Sequence, residues 1–513
     1  MPVVDFLEQL ERRWSDPKQE LVRFYDSRYT VADILASSRD VAVALHRIGM
    51  GPGSMVATDL TNRPELLQTI LGAWRAGATV TPINTQLRSE EIGHQLHDSG
   101  SRLIVYETRV ADRVEEALAN LSESISRVVV DPRLPTGQGV ESFEAWIRPG
   151  SGEDAGAKPP EDLFVIYTSG TTGRPKGAVL TAGNVYHEAL ALRQALDLED
   201  IDRMIVVLPL FHVNNLILTL ATFLAGGSVA ILRWFEVDEF VREVARSRPT
   251  FFSGVPAVYK RLLDAADRID RSAFDSLRFG VCGAAPMPVA WLNDFQSRFG
   301  IPVIEGYGLT EGTVASTVNP RHGRRKVGSV GIPLPGQEVR VIDGEDRELP
   351  PGEVGEVVVR GPNVMKGYLG RDNETRETLR NGWLHTGDLG RFDDDGYLYL
   401  VDRKKDLIIR GGENVYPKEV ENVLLEHPEI ADAAVVGTPD EAYGERVVAF
   451  IVRRDEALLR ETVLGYCRQH LAGFKCPAEV LFVRELPRNS VGKVLKTALR
   501  GQAAARTGSA PGP

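Results

Sequence analysis

One glycine-rich segment constrains this chain more than any other: Tyr167 to Gly177, with the sequence YTSGTTGRPKG. An apolar run before it, Leu163 to Ile166, predicts a buried strand, and a helical pattern begins near Gly183. A segment with three glycines, several hydroxyls and a proline has weak propensity for helix or strand. Successive N–H groups of such a loop form a concave nest for an anion, and Arg174 and Lys176 add positive charge. The segment therefore predicts a phosphate-binding loop.

This loop is not a Walker P-loop. That motif requires G-x-x-x-x-G-K-[ST], whereas here Gly173 follows Gly170 by three residues, and Gly177 follows Lys176. The alternative interpretation is a solvated surface loop, but the ordered cations and the preceding strand favour phosphate binding. The candidate phosphate ligands are Thr168, Ser169, Gly170, Thr171, Thr172, Gly173 and Lys176.

Length and composition are those of an ordinary globular protein. The 513 residues are enough for about three domains. The net charge of -11, without a long run of one sign, argues against nucleic acid as the main partner. The three cysteines, Cys282, Cys467 and Cys476, form no C-x-x-C pair. They predict a reducing compartment, with neither a disulfide framework nor structural zinc.

No signal peptide or integral membrane segment is expected. The N-terminal stretch from Met1 to Asp16 is interrupted by charges. The most hydrophobic region, Met204 to Leu232, has its longest unbroken apolar piece at Leu216 to Ala225, which is much shorter than a bilayer span. We therefore expect a cytoplasmic protein. The sequence leaves monomer and homodimer open.

Strand and helix patterns alternate through the first part of the chain, which predicts parallel α/β layers. Helical patterns then nearly vanish, and short apolar runs alternate with Gly/Pro turns, before a compact α+β pattern closes the chain. The final residues are small and polar, which predicts disorder. The predicted large N-terminal domain, 1–402, comprises α/β subdomains 1–160 and 161–326 and a β-rich subdomain 327–402. A small C-terminal domain, 403–500, and a disordered tail, 501–513, are predicted to follow.

Four further segments contain polar or aromatic residues that could form a site. Leu208–His212 and Glu305–Glu311 follow apolar strands, His385–Asp388 lies in the β-rich part, and Pro487–Lys493 lies near the C-terminus. Each has an ordinary structural explanation when it is taken alone. His212 fits a buried core histidine, Tyr307 fits a turn with a packed ring, and Asp388 fits a turn or cap residue. Lys493 fits a solvated lysine.

Taken together, these segments supply the parts of a nucleotide enzyme. Tyr307 offers a flat face for a purine, and Asp388 offers two acceptor oxygens for ribose hydroxyls. Thr310 and Glu311 offer a hydroxyl and a carboxylate for a Mg²⁺-phosphate. Lys493, far along the chain, offers a cation for developing negative charge.

With these motifs in this order, from about residue 25 to residue 500, the chain resembles the adenylate-forming superfamily of acyl-CoA synthetases, luciferases and peptide-synthetase adenylation domains. The resemblance implies a mobile C-terminal domain and the substrates ATP, with Mg²⁺, and a carboxylic acid. Asp402 to Lys405 is similar to the family's hinge, and the family places Asp or Lys at the position of Lys405.

The resemblance also implies roles for individual residues. Lys493, Thr310, Glu311 and His212 form the implied catalytic set, in which Thr310 contacts the α-phosphate, Glu311 binds Mg²⁺ and Lys493 bridges carboxylate and phosphate. The implied nucleotide ligands beyond the loop are Gly283, Ala284, Ala285, Tyr307 and Gly308 for adenine and Asp388 and Arg403 for ribose.

The segment Arg410 to Glu419 favours the acyl-CoA synthetase branch, by resemblance. Gly411 and Gly412 would line the pantetheine path of CoA, and Lys475 is either a contact to a CoA phosphate or a solvated lysine. The expected activity is that of an ATP-dependent acid:CoA ligase. The alternatives are transfer to an amine, a carrier-protein thiol or another nucleophile, and a catalytically silent binding protein.

The acid would bind in a pocket whose walls, by resemblance, are His212, Val213, Asn214, Asn215, Gly283 and Gly308. Small and apolar walls suit an apolar fatty or aryl acid, and the lack of a clear Arg or Lys disfavours a dicarboxylate. Asn214 and Asn215 either recognise a polar group or cap a helix predicted to start at Leu216. We expect at least one of them to be a cap.

Overall fold

The computed structural model describes residues 5–131, 140–148, 158–168, 175–285, 287–488 and 494–507. It confirms the predicted fold class, a mixed α/β architecture with several sheets and a smaller C-terminal domain. In these residues, the helices are Phe6–Glu11, Val31–Arg47, Pro64–Arg75, Ser89–Ser99, Ala111–Ala119, Phe143–Ile147, Ala182–Ala195, Val213–Leu224, Val237–Ser247, Pro256–Asp264, Val289–Phe299, Asp372–Thr378, Pro417–Leu425, Arg460–His470 and Lys496–Thr507.

The first large sheet has nine strands, with a parallel centre and antiparallel edges. Helices connect most of its parallel strands and cover its faces, which explains why the central strands are apolar on both sides. The strands, from one edge to the other, are Ile332–Pro333, Thr317–Val318, Val303–Tyr307, Phe279–Cys282, Phe251–Gly254, Arg203–Val206, Ser228–Ile231, Glu20–Phe24 and Ser27–Thr30.

The second large sheet has eight strands and the same plan of a parallel body with an antiparallel edge. Helices Pro64–Arg75 and Val213–Leu224 lie in the core between the two sheets and are buried nearly all round. The strands are Gly367–Tyr368, Lys176–Thr181, Asp162–Thr168, Thr79–Pro82, Met55–Asp59, Leu103–Glu107, Ser126–Val130 and Val140–Ser142.

The two sheets exchange segments across the predicted boundary at residue 160. Strand Glu20–Phe24 pairs with Ser228–Ile231, so an early strand belongs to the sheet built mainly from later residues. Strand Asp162–Thr168 pairs with Thr79–Pro82 in the other sheet. The sheets therefore do not follow the boundary between 1–160 and 161–326, because long-range strand pairing leaves no local signal.

Two smaller sheets follow. An antiparallel sheet of four strands comprises Glu338–Ile342, Gly355–Arg360, Leu384–Phe392 and Leu398–Arg403. A sheet of five strands comprises Glu413–Val415, Ile408–Arg410, Gly444–Arg453, Ile430–Asp440 and Glu479–Val483. Sheet membership thus changes between Arg403 and Ile408, and the domain limit at residues 402 and 403 stays a prediction.

The predicted disorder of the tail is wrong for its first part, because helix Lys496–Thr507 runs through residues 501–507. Leu499 and Ala503, four residues apart on one face, are buried against the C-terminal sheet. Alanine, which dominates this stretch, is the best helix former, so small residues here indicate a helix. Residues 508–513 lie outside the described residues.

A search of the described ranges for a helix long and apolar enough to cross a membrane finds none.

Candidate active site

The centre of the site is the carboxyl end of strand Val303–Tyr307. The Tyr307 hydroxyl donates to Asp388 Oδ2 at 2.8 Å, and Arg403 Nε lies 3.0 Å from Asp388 Oδ1. Burial raises the pKa of Tyr307 well above its usual range, so the phenol stays a neutral donor. Both Asp388 oxygens are thus oriented by groups from two different sheets, although Tyr307 and Asp388 are 81 positions apart in sequence.

The loop Gly283–Ala285 lies beside this group, because its strand, Phe279–Cys282, is the parallel neighbour of Val303–Tyr307. Ala284 has a positive φ of 64°, a strained conformation for a residue with a side chain and one that is common at functional sites. A Cβ at Gly308 would lie 2.0 Å from the Val314 carbonyl oxygen, so that position requires glycine. Ligands of parallel sheets bind outside the carboxyl ends of the strands, which is where these residues meet.

Glu311 lies in the turn Thr310–Gly312 and is held by residues from the other large sheet. Its Oε1 accepts hydrogen bonds from the Tyr368 hydroxyl at 2.9 Å and from Thr168 Oγ1 at 3.4 Å. Lys176 Nζ lies 5.2 Å from the centre of the Tyr368 ring. Both ends of the predicted phosphate loop therefore lie near Glu311.

The loop itself differs from the predicted strand–loop–helix arrangement. Thr168 and Lys176 are the last paired residues of two antiparallel strands, so the loop closes a hairpin. The missed strand, Lys176–Thr181, contains an apolar run too short to be distinguished from a loop in the sequence. Its loop residues Ser169, Gly170, Thr171, Thr172, Gly173 and Arg174 lie outside the described residues.

A second group anchors the first strand of this hairpin. The Tyr167 hydroxyl donates to Asp98 Oδ2 at 2.8 Å, and Arg371 Nη2 donates to Asp98 Oδ1 at 3.1 Å. Asp98, Tyr368 and Arg371 were not predicted as site residues. Their contacts join distant parts of the chain, so the neighbouring residues in the sequence do not predict them. Tyr368 lies in the two-residue strand Gly367–Tyr368, which pairs with strand Lys176–Thr181.

These residues fit a Mg²⁺ ion bound mainly through phosphates. In the part of the chain that the structure describes, no group of three or more His, Cys, Asp and Glu residues could hold a metal ion. Glu311 supplies a carboxylate next to the Thr168 hydroxyl. Mg²⁺ typically takes one or two carboxylates and completes its shell with water and substrate phosphates, which matches this donor set.

The capping hypothesis for Asn214 and Asn215 is wrong, because the helix starts earlier than predicted. Helix Val213–Leu224 starts three residues before Leu216, and its N-cap is His212, whose side chain makes no cap hydrogen bond. Asn214 Oδ1 accepts from the Ser253 hydroxyl at 2.8 Å, and Asn215 Nδ2 donates to the Leu208 carbonyl oxygen at 3.1 Å. Neither asparagine therefore caps the helix.

The residues at the start of this helix, which belong to the predicted acyl pocket, are uncharged. Val213 is buried, and burial lowers the pKa of His212 to about 4. His212 is therefore an uncharged imidazole at neutral pH. Gly283 faces this helix, because a Cβ there would lie 3.3 Å from Asn214 Nδ2.

The predicted hinge lies between the third and the C-terminal sheets. Lys405 is in the short turn Lys404–Asp406, and burial lowers its pKa. Asp406 at the end of the turn accepts from Arg500 Nη2 at 2.7 Å, which ties the turn to the last helix. Among the described strands, none of the third sheet pairs with a strand of the C-terminal sheet. The turn Lys404–Asp406 therefore joins two separate sheets.

The predicted CoA residues lie on the C-terminal sheet. Gly411 and Gly412, with φ values of 62° and 84°, form the turn of a hairpin that only glycine makes without strain. Next to them lie two exposed aromatic side chains, Tyr443 at 55% and Phe474 at 36% exposure. Arg410 connects them, with its guanidinium carbon 5.4 Å from the Tyr443 ring and Nη1 donating to the Phe474 carbonyl oxygen at 2.9 Å.

Lys475 is not the solvated lysine of the alternative interpretation. Its Nζ lies 2.7 Å and 2.8 Å from the two carboxylate oxygens of Glu419. A contact from Lys475 to a phosphate would have to replace or share this ion pair. Residues 489–493, including Lys493, lie outside the described residues.

Comparison with known proteins agrees with this geometry. The AMP-binding enzyme family matches residues 10–369, and the AMP-binding enzyme C-terminal domain matches residues 419–493. A feruloyl-CoA synthase from Amycolatopsis sp is 37% identical over 503 residues, which cover 96% of this chain and 97% of that protein.

Solved structures agree over the whole chain. ATP-bound MatB from Rhodopseudomonas palustris has a TM-score of 0.89 at 32% identity, covering 97% of this chain and 98% of that chain. The anthranilate CoA ligase AuaEII in complex with anthranoyl-AMP has a TM-score of 0.91 at 27% identity and covers 99% of both chains. By these matches, the chain belongs to the AMP-binding enzyme family.

Proposed function

We propose that this protein is an ATP-dependent acid:CoA ligase that converts an apolar aryl or fatty acid to acyl-AMP and then to acyl-CoA. The observation that carries the proposal is the meeting of the Tyr307–Asp388–Arg403 group with the Glu311 group at the carboxyl ends of parallel strands. Family membership supports nucleotide use, and the similar proteins include a feruloyl-CoA synthase and an anthranilate CoA ligase.

The nucleoside part of ATP fits the first group. Asp388 has one lone pair on each oxygen engaged by Tyr307 and Arg403, and its other lone pairs are available to ribose hydroxyls. Gly283, Ala284 and Ala285 follow the neighbouring strand, opposite Tyr307, so adenine would lie between that loop and the tyrosine ring.

The phosphates fit the second group. Thr168 and Lys176 hold the ends of the hairpin loop, so the loop's N–H groups would surround the β- and γ-phosphates. In this arrangement Thr310 would contact the α-phosphate, and Glu311 in the same turn would bind Mg²⁺. When bound, Mg²⁺ supplies positive charge that offsets the negative charge of the phosphates during the transfer.

In the first step, a carboxylate oxygen of the acid attacks the α-phosphorus of ATP, and pyrophosphate leaves as that bond breaks. The difficulty is that two anions must approach each other. Lys493 is proposed as the mobile cation that contacts both the carboxylate and the α-phosphate and offsets this repulsion. His212 stays neutral and only helps to shape the acyl end of the site.

In the second step, the CoA thiol loses its proton to solvent, its sulfur attacks the acyl carbon, and AMP leaves as the bond from that carbon to the phosphate oxygen breaks. Lys493 is not required for this step, which is why a movement of the C-terminal domain about Lys405 could remove it and bring CoA in. The turn Lys404–Asp406 is suited to such a movement, since sheet membership changes across it.

The surface around Gly411 and Gly412 is suited to CoA. The glycine turn allows close approach of the pantetheine chain, while the Tyr443 and Phe474 rings offer exposed faces for the adenine of CoA. Arg410 and Lys475 supply positive charge for its phosphates, with Lys475 exchanging Glu419 for phosphate oxygens.

The experiment is a panel of carboxylic acids with ATP and Mg²⁺, with and without CoA, followed by pyrophosphate release and mass spectrometry. We expect acyl-AMP without CoA and acyl-CoA with it. Formation of acyl-AMP that only an amine or a carrier-protein thiol can accept would assign the chain to another acceptor class. Absence of both AMP and pyrophosphate with every acid would contradict ligase activity altogether.

A matched pair of variants connects this assay to the site. Asp388→Asn removes a charged acceptor from the proposed ribose site and should raise the KM for ATP. Asp394→Asn makes the same chemical change at an exposed position and should not.

A further inference from the structure

The structure separates two neighbouring asparagines that the sequence does not distinguish. The side chain of Asn215 is fully buried, and its amino group donates to the Leu208 carbonyl oxygen at 3.1 Å. Asn214 lies in the same first helical turn, but its side chain is only half-buried. Only Asn214 therefore has an amide that can meet a substrate.

The orientation of the Asn214 amide follows from one hydrogen bond. The Ser253 hydroxyl donates to Asn214 Oδ1 at 2.8 Å, and Ser253 itself is fully buried on strand Phe251–Gly254. Because the carbonyl oxygen is held by Ser253, the amino group must point away from it. Asn214 Nδ2 indeed faces Gly283, where a Cβ would lie only 3.3 Å away.

The space in front of this amino group is bounded by main chain. The same Cβ position at Gly283 lies 3.7 Å from the Gly306 carbonyl oxygen, so Gly283 keeps a gap open between the helix and the neighbouring strand. Asn214 Nδ2 donates no hydrogen bond to another residue that the structure describes. An amide donor that a ligand covers costs binding energy unless the ligand supplies an acceptor.

The charge of the surroundings limits what that acceptor can be. His212 is uncharged at neutral pH, and Val213, Gly283 and Gly306 are apolar or small. A single neutral amide does not compensate for the burial of an anion. The matching group on the acid is therefore a neutral oxygen: a hydroxyl, an ether or a carbonyl.

We propose that Asn214 determines specificity by donating a hydrogen bond to a neutral oxygen on the acyl part of the acid, with Ser253 as the positioning residue. The substrate class is then an oxygen-substituted apolar acid, such as a hydroxy- or alkoxy-aryl acid, in preference to the pure hydrocarbon. This inference rests on the proposed ligase function and on the acyl pocket described above.

The test compares cinnamic acid with its 3- and 4-hydroxy and 3- and 4-methoxy derivatives, measured as kcat/KM for pyrophosphate release. The wild type should prefer at least one substituted acid over cinnamic acid. In Asn214→Leu, which keeps side-chain size but cannot donate, the ratio of that kcat/KM to the value for cinnamic acid should fall roughly 3- to 10-fold, as expected for one neutral hydrogen bond.

Two further variants sharpen the result. Ser253→Ala frees the amide to rotate and should lower the same ratio by a smaller factor. Asn120→Leu, at an exposed helix end outside the site, should leave the ratio at its wild-type value. A ratio of two acids measured on one protein sample does not depend on the fraction of the variant that has folded.

The outcomes separate the inference from the proposed function. If cinnamic acid is used as well as all of its substituted derivatives, or if Asn214→Leu leaves the ratio unchanged, the inference is wrong while the ligase function stands. If the wild type releases no pyrophosphate with any of these acids or with the wider acid panel, the proposed function fails and the inference fails with it.

Discussion

Replacing Tyr368 with phenylalanine should weaken the use of Mg²⁺-ATP by a specific and modest amount. The Tyr368 hydroxyl donates to Glu311 Oε1 at 2.9 Å, and the only other bond to that oxygen is the longer one from Thr168 Oγ1 at 3.4 Å, among the described residues. Tyr368→Phe removes the shorter bond and keeps the ring against which Lys176 lies. The change therefore isolates one hydroxyl.

The magnitude follows from the kind of bond that is lost. A hydrogen bond to a charged group contributes about 1.5–3 kcal/mol, and Tyr368 and Glu311 are both only half-buried, so the lower end applies. About 1.4 kcal/mol corresponds to a tenfold change in rate. We expect kcat/KM for ATP in pyrophosphate release to fall roughly tenfold.

The assay measures pyrophosphate release against Mg²⁺ concentration at saturating acid, and thioester formation from supplied acyl-AMP as a second readout. The loss should be largest at low Mg²⁺ and smaller at high Mg²⁺, because the ion itself helps to order Glu311. Thioester formation should stay near the wild-type rate. Tyr399→Phe, in strand Leu398–Arg403 and outside the Glu311 group, is the matched control.

Two results would refute the reasoning. An unchanged Mg²⁺ dependence in Tyr368→Phe would show that the hydroxyl does not position Glu311 for the ion. An equal loss in both half-reactions would instead indicate a general disturbance of the fold near strand Gly367–Tyr368.

Three other predictions test separate parts of the protein. Lys493→Ala should abolish pyrophosphate release and leave thioester formation from supplied acyl-AMP largely intact; equal loss of both would contradict its role. Lys405→Pro should uncouple the two half-reactions by stiffening the turn Lys404–Asp406, and unchanged rates of both would argue against a hinge there. Burial raises the pKa of Glu188 to about 8, above its unfolded value near 4.3, so its contribution to stability is full at low pH and is lost as pH rises through about 8. Glu188→Gln is neutral at every pH, and its Tm relative to wild type should rise between pH 5 and pH 9; parallel Tm curves would show that Glu188 is not a buried, protonated carboxyl.

The sequence carried the strongest information where chemistry depends on local spacing. The order of the phosphate loop, the Glu305–Glu311 segment and the His385–Asp388 segment indicates a nucleotide enzyme, and the structure places Tyr307 and Asp388 in direct contact. Helix and strand positions were also accessible, because apolar periodicity is a local property. The buried strand predicted at Leu163 to Ile166, for example, lies within the strand Asp162–Thr168.

The failures have physical causes of two kinds. The tail helix was missed because small residues were taken for disorder, although alanine favours helix and Leu499 and Ala503 make a buried face. The helix at Val213 was predicted to start too late, because it begins within polar residues, and this error made caps of Asn214 and Asn215.

By itself, then, the sequence determined the fold class, the family and the chemical types in the site, because these depend on residue order and local spacing. Only the tertiary structure decided that the phosphate loop closes a hairpin, that Tyr368 holds Glu311, and that Asn215 is fully buried while Asn214 is only half-buried. Each of these depends on strands and helices that pair across long stretches of chain. Such contacts are set by packing of the whole molecule and have no signature in the residues nearby.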